Sequence, residues 1–188
     1  MGTSGSRALH VVLLVDGSSS VTEDDFYAMK QFCLELVASL RHSHTSSSVA
    51  VLQFNQYPKV HTGLTSVEKQ SLIATIQSMD QMMGSTDIAA PIRRARQILA
   101  EDDTGVGEKA IVILTDGQTH SDELKEAERE ARQAAIDSGA RLFALGVGRD
   151  VDESGLSRVA SGTSSALSIC SESPMATGHY FPLRKMNR

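Results

Sequence analysis

The chain reads as an α/β domain: a doubly wound, mostly parallel central sheet with one antiparallel edge strand and helices on both faces. Three observations predict this. Short runs rich in Val, Ile and Leu alternate with longer segments whose apolar residues recur every three or four positions, the alternation of buried strands and amphipathic helices. The runs HVVLLV (10–15) and KAIVILT (109–115) are apolar at nearly every position, as expected for strands covered on both faces. One join, around Gln56, Tyr57 and Pro58, is too short for a crossover and implies an antiparallel pair.

The elements follow in order. HVVLLV is the first strand, and residues 22–40 (TEDDFYAMKQFCLELVASL) form a helix with Thr22 as N-cap and acids in its first turn. SSVAVLQFN (47–55) and PKVHTGL (58–64) are the second and third strands. VEKQSLIATIQSM (67–79) is helical, DQMMGSTD (80–87) breaks the pattern, and IAAPIRRARQILA (88–100) resumes it, with Pro91 tolerable only near a helix start. KAIVILTDG (109–117) is the fourth strand, and residues 122–139 (DELKEAEREARQAAIDSG) form a helix stopped by Gly139. RLFALGVG (141–148) is the fifth strand, DESGLSRVAS (152–161) a short helix, 162–177 a polar loop, and GHYFPL (178–183) a last strand.

A chain of 188 residues has room for one well-cored domain. Residues 8–188 are taken as that domain, and 1–7, opening MGTSGS, as a leader or flexible tail too short and polar for a secretory signal. No apolar run approaches the roughly 18 residues that span a bilayer, so direct membrane insertion is not expected. The net charge of −5, with Lys and Arg scattered among acids, gives no footprint for nucleic acid. Cys33 falls among Phe26, Met29, Leu36, Val37 and Leu40 at helical spacing and reads as an apolar filler. With Cys170 it could form one bridge, but two cysteines are no disulfide framework. The six histidines show no pair at ligand spacing, and Arg93, Arg94 and Arg96 read as a solvated helix face or a contact for an acidic partner.

In an open parallel sheet, ligands sit beyond the carboxyl ends of the strands. Three loops meet there if the first and fourth strands are neighbours: Asp16, Ser18 and Ser20 after the first strand, Thr115 and Asp116 after the fourth, and Ser85, Thr86 and Asp87 before the middle helix. Asp16, Ser18 and Ser20 alternate, so their side chains can point the same way while Gly17 lets the backbone bend. Hydroxyls and carboxylates without histidine or thiolate are hard donors, suited to magnesium, calcium or manganese. Taken singly, each has a plainer reading as a turn, a cap or a loop start. Asp87 is read as a helix cap, and Ser85 is left open.

The motifs DGSSS, GSTD and LTDG, in that order and place, resemble the von Willebrand factor type A (VWA, or integrin I-like) domain with its metal-ion-dependent adhesion site (MIDAS). The resemblance runs from about Leu9 to Pro182. It implies a Rossmann-like fold, a metal held directly by the hydroxyls of Ser18 and Ser20, Thr86 joining in the ligand-bound arrangement, and Asp16 and Asp116 acting mostly through coordinated water. The implied cofactor is Mg2+, with Mn2+ or Ca2+ as substitutes. The implied function is non-enzymatic, divalent-cation-dependent adhesion: a protein ligand with an exposed Asp or Glu, as in extracellular matrix such as collagen, binds the metal. The expected setting is extracellular or cell-surface, within a larger protein. The alternatives are an intracellular VWA scaffold and, further off, a metal-dependent phosphohydrolase, for which this sequence offers neither a nucleophilic aspartate close to a lysine and further acids nor a glycine-rich phosphate loop. Family members usually continue into a terminal helix that shifts between affinity states. This chain stops at Arg188, so that helix is expected to be truncated.

Overall fold

The structure is a computed structural model. It describes residues 8–101, 107–117, 121–148 and 151–160, and the backbone of 167–169 and 183–185. The elements run β1 (Leu9–Asp16), α1 (Glu23–Ser43), β2 (Ser48–Phe54), β3 (Pro58–Ser66), α2 (Gln70–Gln77), α3 (Ala89–Ala100), β4 (Glu108–Thr115), α4 (Ser121–Ser138), β5 (Arg141–Val147), α5 (Glu153–Ala160), β6 (Leu167–Ile169) and β7 (Leu183–Lys185).

The strands form a sheet in the order β3-β2-β1-β4-β5-β6-β7. β1 pairs in parallel with both β2 and β4, and β4 with β5. β3 is the expected antiparallel edge. β6 and β7 add a second antiparallel pair at the far side. Chain order reverses between β1 and β4, which makes their carboxyl ends the switch point where an α/β sheet opens a crevice.

The near-continuous apolar strands divide strictly by residue parity. Val12, Leu14, Ala50, Leu52, Ile111 and Ile113 face a core shared with α3, α4 and α5. Val11, Leu13, Val49, Val51, Val112 and Leu114 face the other core, with α1 and α2. Each fully buried Leu or Ile contributes roughly 1.5–3 kcal/mol, so both helical layers are held mainly by this burial. Cys33 sits in the second core with no exposure, and burial pushes its thiol pKa up to about 12.

Helix boundaries follow local chemistry. Thr22 Oγ1 accepts from the Asp25 amide at 3.1 Å and caps α1. Pro91 is the third residue of α3, where its missing N–H costs nothing. Gly139, at φ 67°, ends α4 with its N–H on the Ala135 carbonyl at 3.0 Å.

One expectation is corrected. The stretch 162–177 is not wholly loop, because Leu167–Ile169 adds a strand beside β5. Of the expected last strand 178–183, only Leu183 is described, and it lies in the strand Leu183–Lys185; 178–182, Cys170 and residues 1–7 lie outside the described residues. No helix among the described residues is long and apolar enough to cross a membrane.

Candidate functional site

Asp16 closes β1 and is fully buried, and Thr115 closes β4 directly beside it. The Thr115 hydroxyl donates to Asp16 Oδ2 at 2.5 Å and accepts from the Gly117 amide at 3.0 Å, so the two strand ends are joined through side chains. Asp16 Oδ1 accepts from the Ser18 amide at 2.9 Å, curling the chain back over the strand end. This turn brings Ser18 Oγ and Ser20 Oγ to 3.1 Å, the same-side arrangement that their alternation predicts. Asp116 follows, also buried. Burial raises the Asp16 carboxyl above its ordinary range and the charge of Asp116 adds to the rise, while hydrogen bonds from Thr115 and Ser18 oppose it.

The third loop is stitched to the first. The Met83 amide donates to the Gly17 carbonyl at 2.7 Å, the Ser19 amide to the Gly84 carbonyl at 2.8 Å, and the Gly84 amide to Ser19 Oγ at 2.7 Å. Gln81 Nε2 reaches the carbonyls of Ser18 and Val21 at 2.9 and 2.8 Å. Thr86, half-buried, lies two residues past Gly84 on this tethered loop. Its neighbours are committed elsewhere. Ser85 donates to Gln56 Oε1 at 3.0 Å. Asp87 Oδ1 accepts from the amides of Ala89 and Ala90 at 2.8 and 3.2 Å, so Asp87 is the cap of α3 as expected.

The structure thus brings Asp16, Ser18, Ser20 and Asp116 to the joined ends of β1 and β4, and places Thr86 on the loop bonded to them. Thr115, Gln81 and Asn55, whose Nδ2 donates to the Met83 carbonyl at 2.7 Å and whose carbonyl accepts from the Asp87 amide at 3.0 Å, hold these loops together without having been assigned a role from sequence. Thr115 was visible in LTDG, but no sequence signal distinguishes Asn55 or Gln81. The arginine expectation is refined. Arg93 pairs with Glu126 and Glu130, each at 2.9 Å, and Arg96 with Glu130 and Asp137, at 3.3 and 2.6 Å, so this partly solvated face also bridges α3 to the acids of α4 within the same chain.

The donor set fits a hard cation. Two buried carboxylates, Asp16 and Asp116, share the strand ends with the hydroxyls of Ser18, Ser20 and Thr115, and residues 16–20, 80–87 and 115–117 include no Lys, Arg or His. Among the described residues, no group of three or more His, Cys, Asp or Glu side chains is arranged to hold a metal.

The von Willebrand factor type A domain matches residues 10–180, and the chain belongs to that family. It is 30% identical over 156 residues to the Homo sapiens collagen alpha-1(XXI) chain, covering 82% of this chain and 16% of that protein. It is 28% identical over 143 residues to Cavia porcellus cochlin, covering 75% of this chain and 25% of that one. The chain therefore spans a quarter or less of the length of these two relatives. Among solved structures, proximal thread matrix protein 1 from the mussel byssus, described with a zinc-occupied MIDAS motif, superposes with TM-score 0.70 at 23% identity, over 88% of this chain and 44% of that one. The SpRpn10 VWA domain superposes with TM-score 0.70 at 15% identity, over 88% and 89%. Both likenesses are of fold.

Proposed function

We propose that this chain is a divalent-cation-dependent protein-binding module in which Asp16, Ser18, Ser20, Thr86 and Asp116 hold a magnesium ion that takes a carboxylate from a partner protein. The observation that supports the reading is the joining of two strand ends and a tethered loop, with the buried carboxylates of Asp16 and Asp116 and the paired hydroxyls of Ser18 and Ser20 at one end of the sheet. Magnesium, when bound, would supply a Lewis-acidic position for an oxygen anion. The chain's own residues do the rest. The neutral hydroxyls of Ser18 and Ser20 donate oxygen without cancelling charge. Asp16 and Asp116 supply the negative charge that makes cation uptake favourable, and Thr115 fixes the orientation of the Asp16 carboxylate. The hydrogen bonds among Gly17, Ser19, Met83 and Gly84 keep the donors in place before any ligand arrives, which lowers the ordering cost of binding.

The relatives named above include a collagen chain and cochlin, which supports an extracellular setting within a larger protein and an adhesive rather than catalytic role. The test is retention of extracellular-matrix protein on the immobilised chain with magnesium and with chelator, beside calorimetric titration with magnesium. Retention lost with chelator and lost in Asp16→Ala, together with magnesium uptake abolished in that variant, is expected. Uptake unchanged in Asp16→Ala overturns the assignment.

A further inference from the structure

The turn that carries both serine hydroxyls of the candidate site is gripped by one side chain from another loop. The Val21 amide donates to the Ser18 carbonyl at 3.3 Å, closing a turn over residues 18–21, and within it Ser18 Oγ and Ser20 Oγ lie 3.1 Å apart. Half-buried Gln81 donates through Nε2 to the carbonyls at both ends of this turn, Ser18 at 2.9 Å and Val21 at 2.8 Å. Because both partners are carbonyls, only the NH2 end of the carboxamide serves, and both of its hydrogens are used. The neighbouring ties, from the Met83 amide to the Gly17 carbonyl and between Gly84 and Ser19, run through backbone groups of the 80–87 loop that any residue other than proline supplies. The grip on Ser18 and Val21 needs this side chain.

The choice of glutamine has a physical reason. Lys30 Nζ does the comparable task at the end of α2, donating to the carbonyls of Gln77 and Met79 at 2.7 and 2.9 Å. A lysine at position 81 could donate in the same way, but it would set a further positive charge on the carbonyl of a residue proposed to hold a cation, whereas a carboxamide donates without charge. What the grip controls is how far the two hydroxyls can shift. Magnesium demands near-ideal octahedral geometry at about 2.0–2.1 Å, whereas calcium accepts six to eight oxygens at about 2.3–2.6 Å in flexible arrangements, so drift of a few tenths of an ångström costs the first far more than the second. We infer that Gln81 is a positioning residue that makes the site selective for magnesium over calcium by holding the turn from Ser18 to Val21 at both ends. The inference rests on the proposed metal-dependent binding and adds what chooses among hard cations.

Gln81→Met keeps the length of the side chain and removes both donors, and it tests the inference by calorimetry with magnesium and by calcium competing for the magnesium-loaded 188-residue chain. Magnesium uptake should weaken about tenfold or more, as when an orienting partner of a metal ligand is lost, while calcium affinity changes by less than about threefold. Calcium then displaces magnesium at a lower ratio of the two ions than in the unsubstituted chain. Lys30→Met removes the same number of bonds to carbonyls from the entry of the same loop and is the control: it should lower the denaturation midpoint and leave that ratio where it was. Gln81→Ser carries the test if Gln81→Met does not fold. If the chain binds magnesium but the ratio is the same in the Gln81 variants, because both affinities fall together or neither falls, Gln81 is only a structural tie, and this inference is overturned while the metal reading stands. An equal shift of the ratio in Lys30→Met overturns it likewise. Absence of magnesium uptake in the unsubstituted chain overturns both.

Discussion

The crevice rim and the α3–α4 flank are both dense in polar groups, yet they are built in opposite ways. At the rim, short side chains (Asp16, Ser18, Ser19, Thr115) are bound to backbone amides or to one another, and Asp16 and Asp116 share one end of the sheet. On the flank, long side chains neutralise one another: Glu130, with a side chain 7% exposed, accepts from both Arg93 and Arg96, and Glu128 lies 2.6 Å from Arg158. The difference separates a site from a strut. The flank pairs its charges internally, whereas the rim places the two buried carboxylates of Asp16 and Asp116 at one end of the sheet, the arrangement on which the proposed cation binding rests.

The largest expected effect comes from the rim's narrowest point. A Cβ on Gly17 would collide with Gln53 Nε2 and lie 2.9 Å from its Cδ, and Gln53 is fully buried. Gly17→Ala must therefore displace either the loop or the Gln53 side chain. Magnesium uptake should weaken at least about tenfold, as when a positioning contact of a metal site is lost, with destabilisation of about 1–3 kcal/mol from overpacking. Calorimetry and chemical denaturation read the two effects. Adding Gln53→Ala should restore part of the uptake, and a Gly17→Ala protein with unaltered uptake would mean that the loop does not position the donors.

The flank should respond in the reverse sense. Glu130→Ala leaves two arginines without their shared acceptor and should cost about 1–3 kcal/mol in denaturation, while magnesium uptake stays as it was. Arg94 on the same helix, facing Glu101 across 3.6 Å with both side chains well exposed, serves as the contrast: Arg94→Ala should cost no more than about 0.5 kcal/mol. Equal losses in the two variants, or a loss of metal uptake in Glu130→Ala, would erase the distinction between the two regions.

What the sequence made legible follows the same division. The central strands were readable because burial on both faces demands apolar residues at consecutive positions, as in Val11 to Val15, and the donor motifs because Asp, Gly and Ser cluster where a strand stops. Leu167–Ile169 was not readable, since three residues inside a serine-rich stretch carry no period. The arginine partners were hidden for a different reason. Glu126, Glu130 and Asp137 are more than 30 positions away along the chain, and only the packing of α3 on α4 brings them close. The Gln81 tether likewise spans 63 positions to Ser18 and depends on the fold being already in place. Local chemistry announces itself in sequence, and partnerships across the sheet do not.

Asp87 gives the finest test of the comparison, because it sits on the rim yet is bonded as a structural residue. Its Oδ1 accepts two amides at the start of α3, and its own amide donates to the Asn55 carbonyl at 3.0 Å. A carboxylate so engaged has a full role as a cap, and the favourable interaction of its charge with the helix N-terminus adds to it. Asp87→Ala should cost about 1 kcal/mol of stability, the value of a lost cap, and leave magnesium uptake within about threefold of the unsubstituted chain. Asp87→Ser and Asp87→Asn, which keep a capping oxygen, should recover most of the stability. If uptake instead collapses in Asp87→Ala as expected for Asp16→Ala, and the capping variants do not restore it, then Asp87 belongs with the donors and the boundary between site and scaffold lies one residue further along the chain.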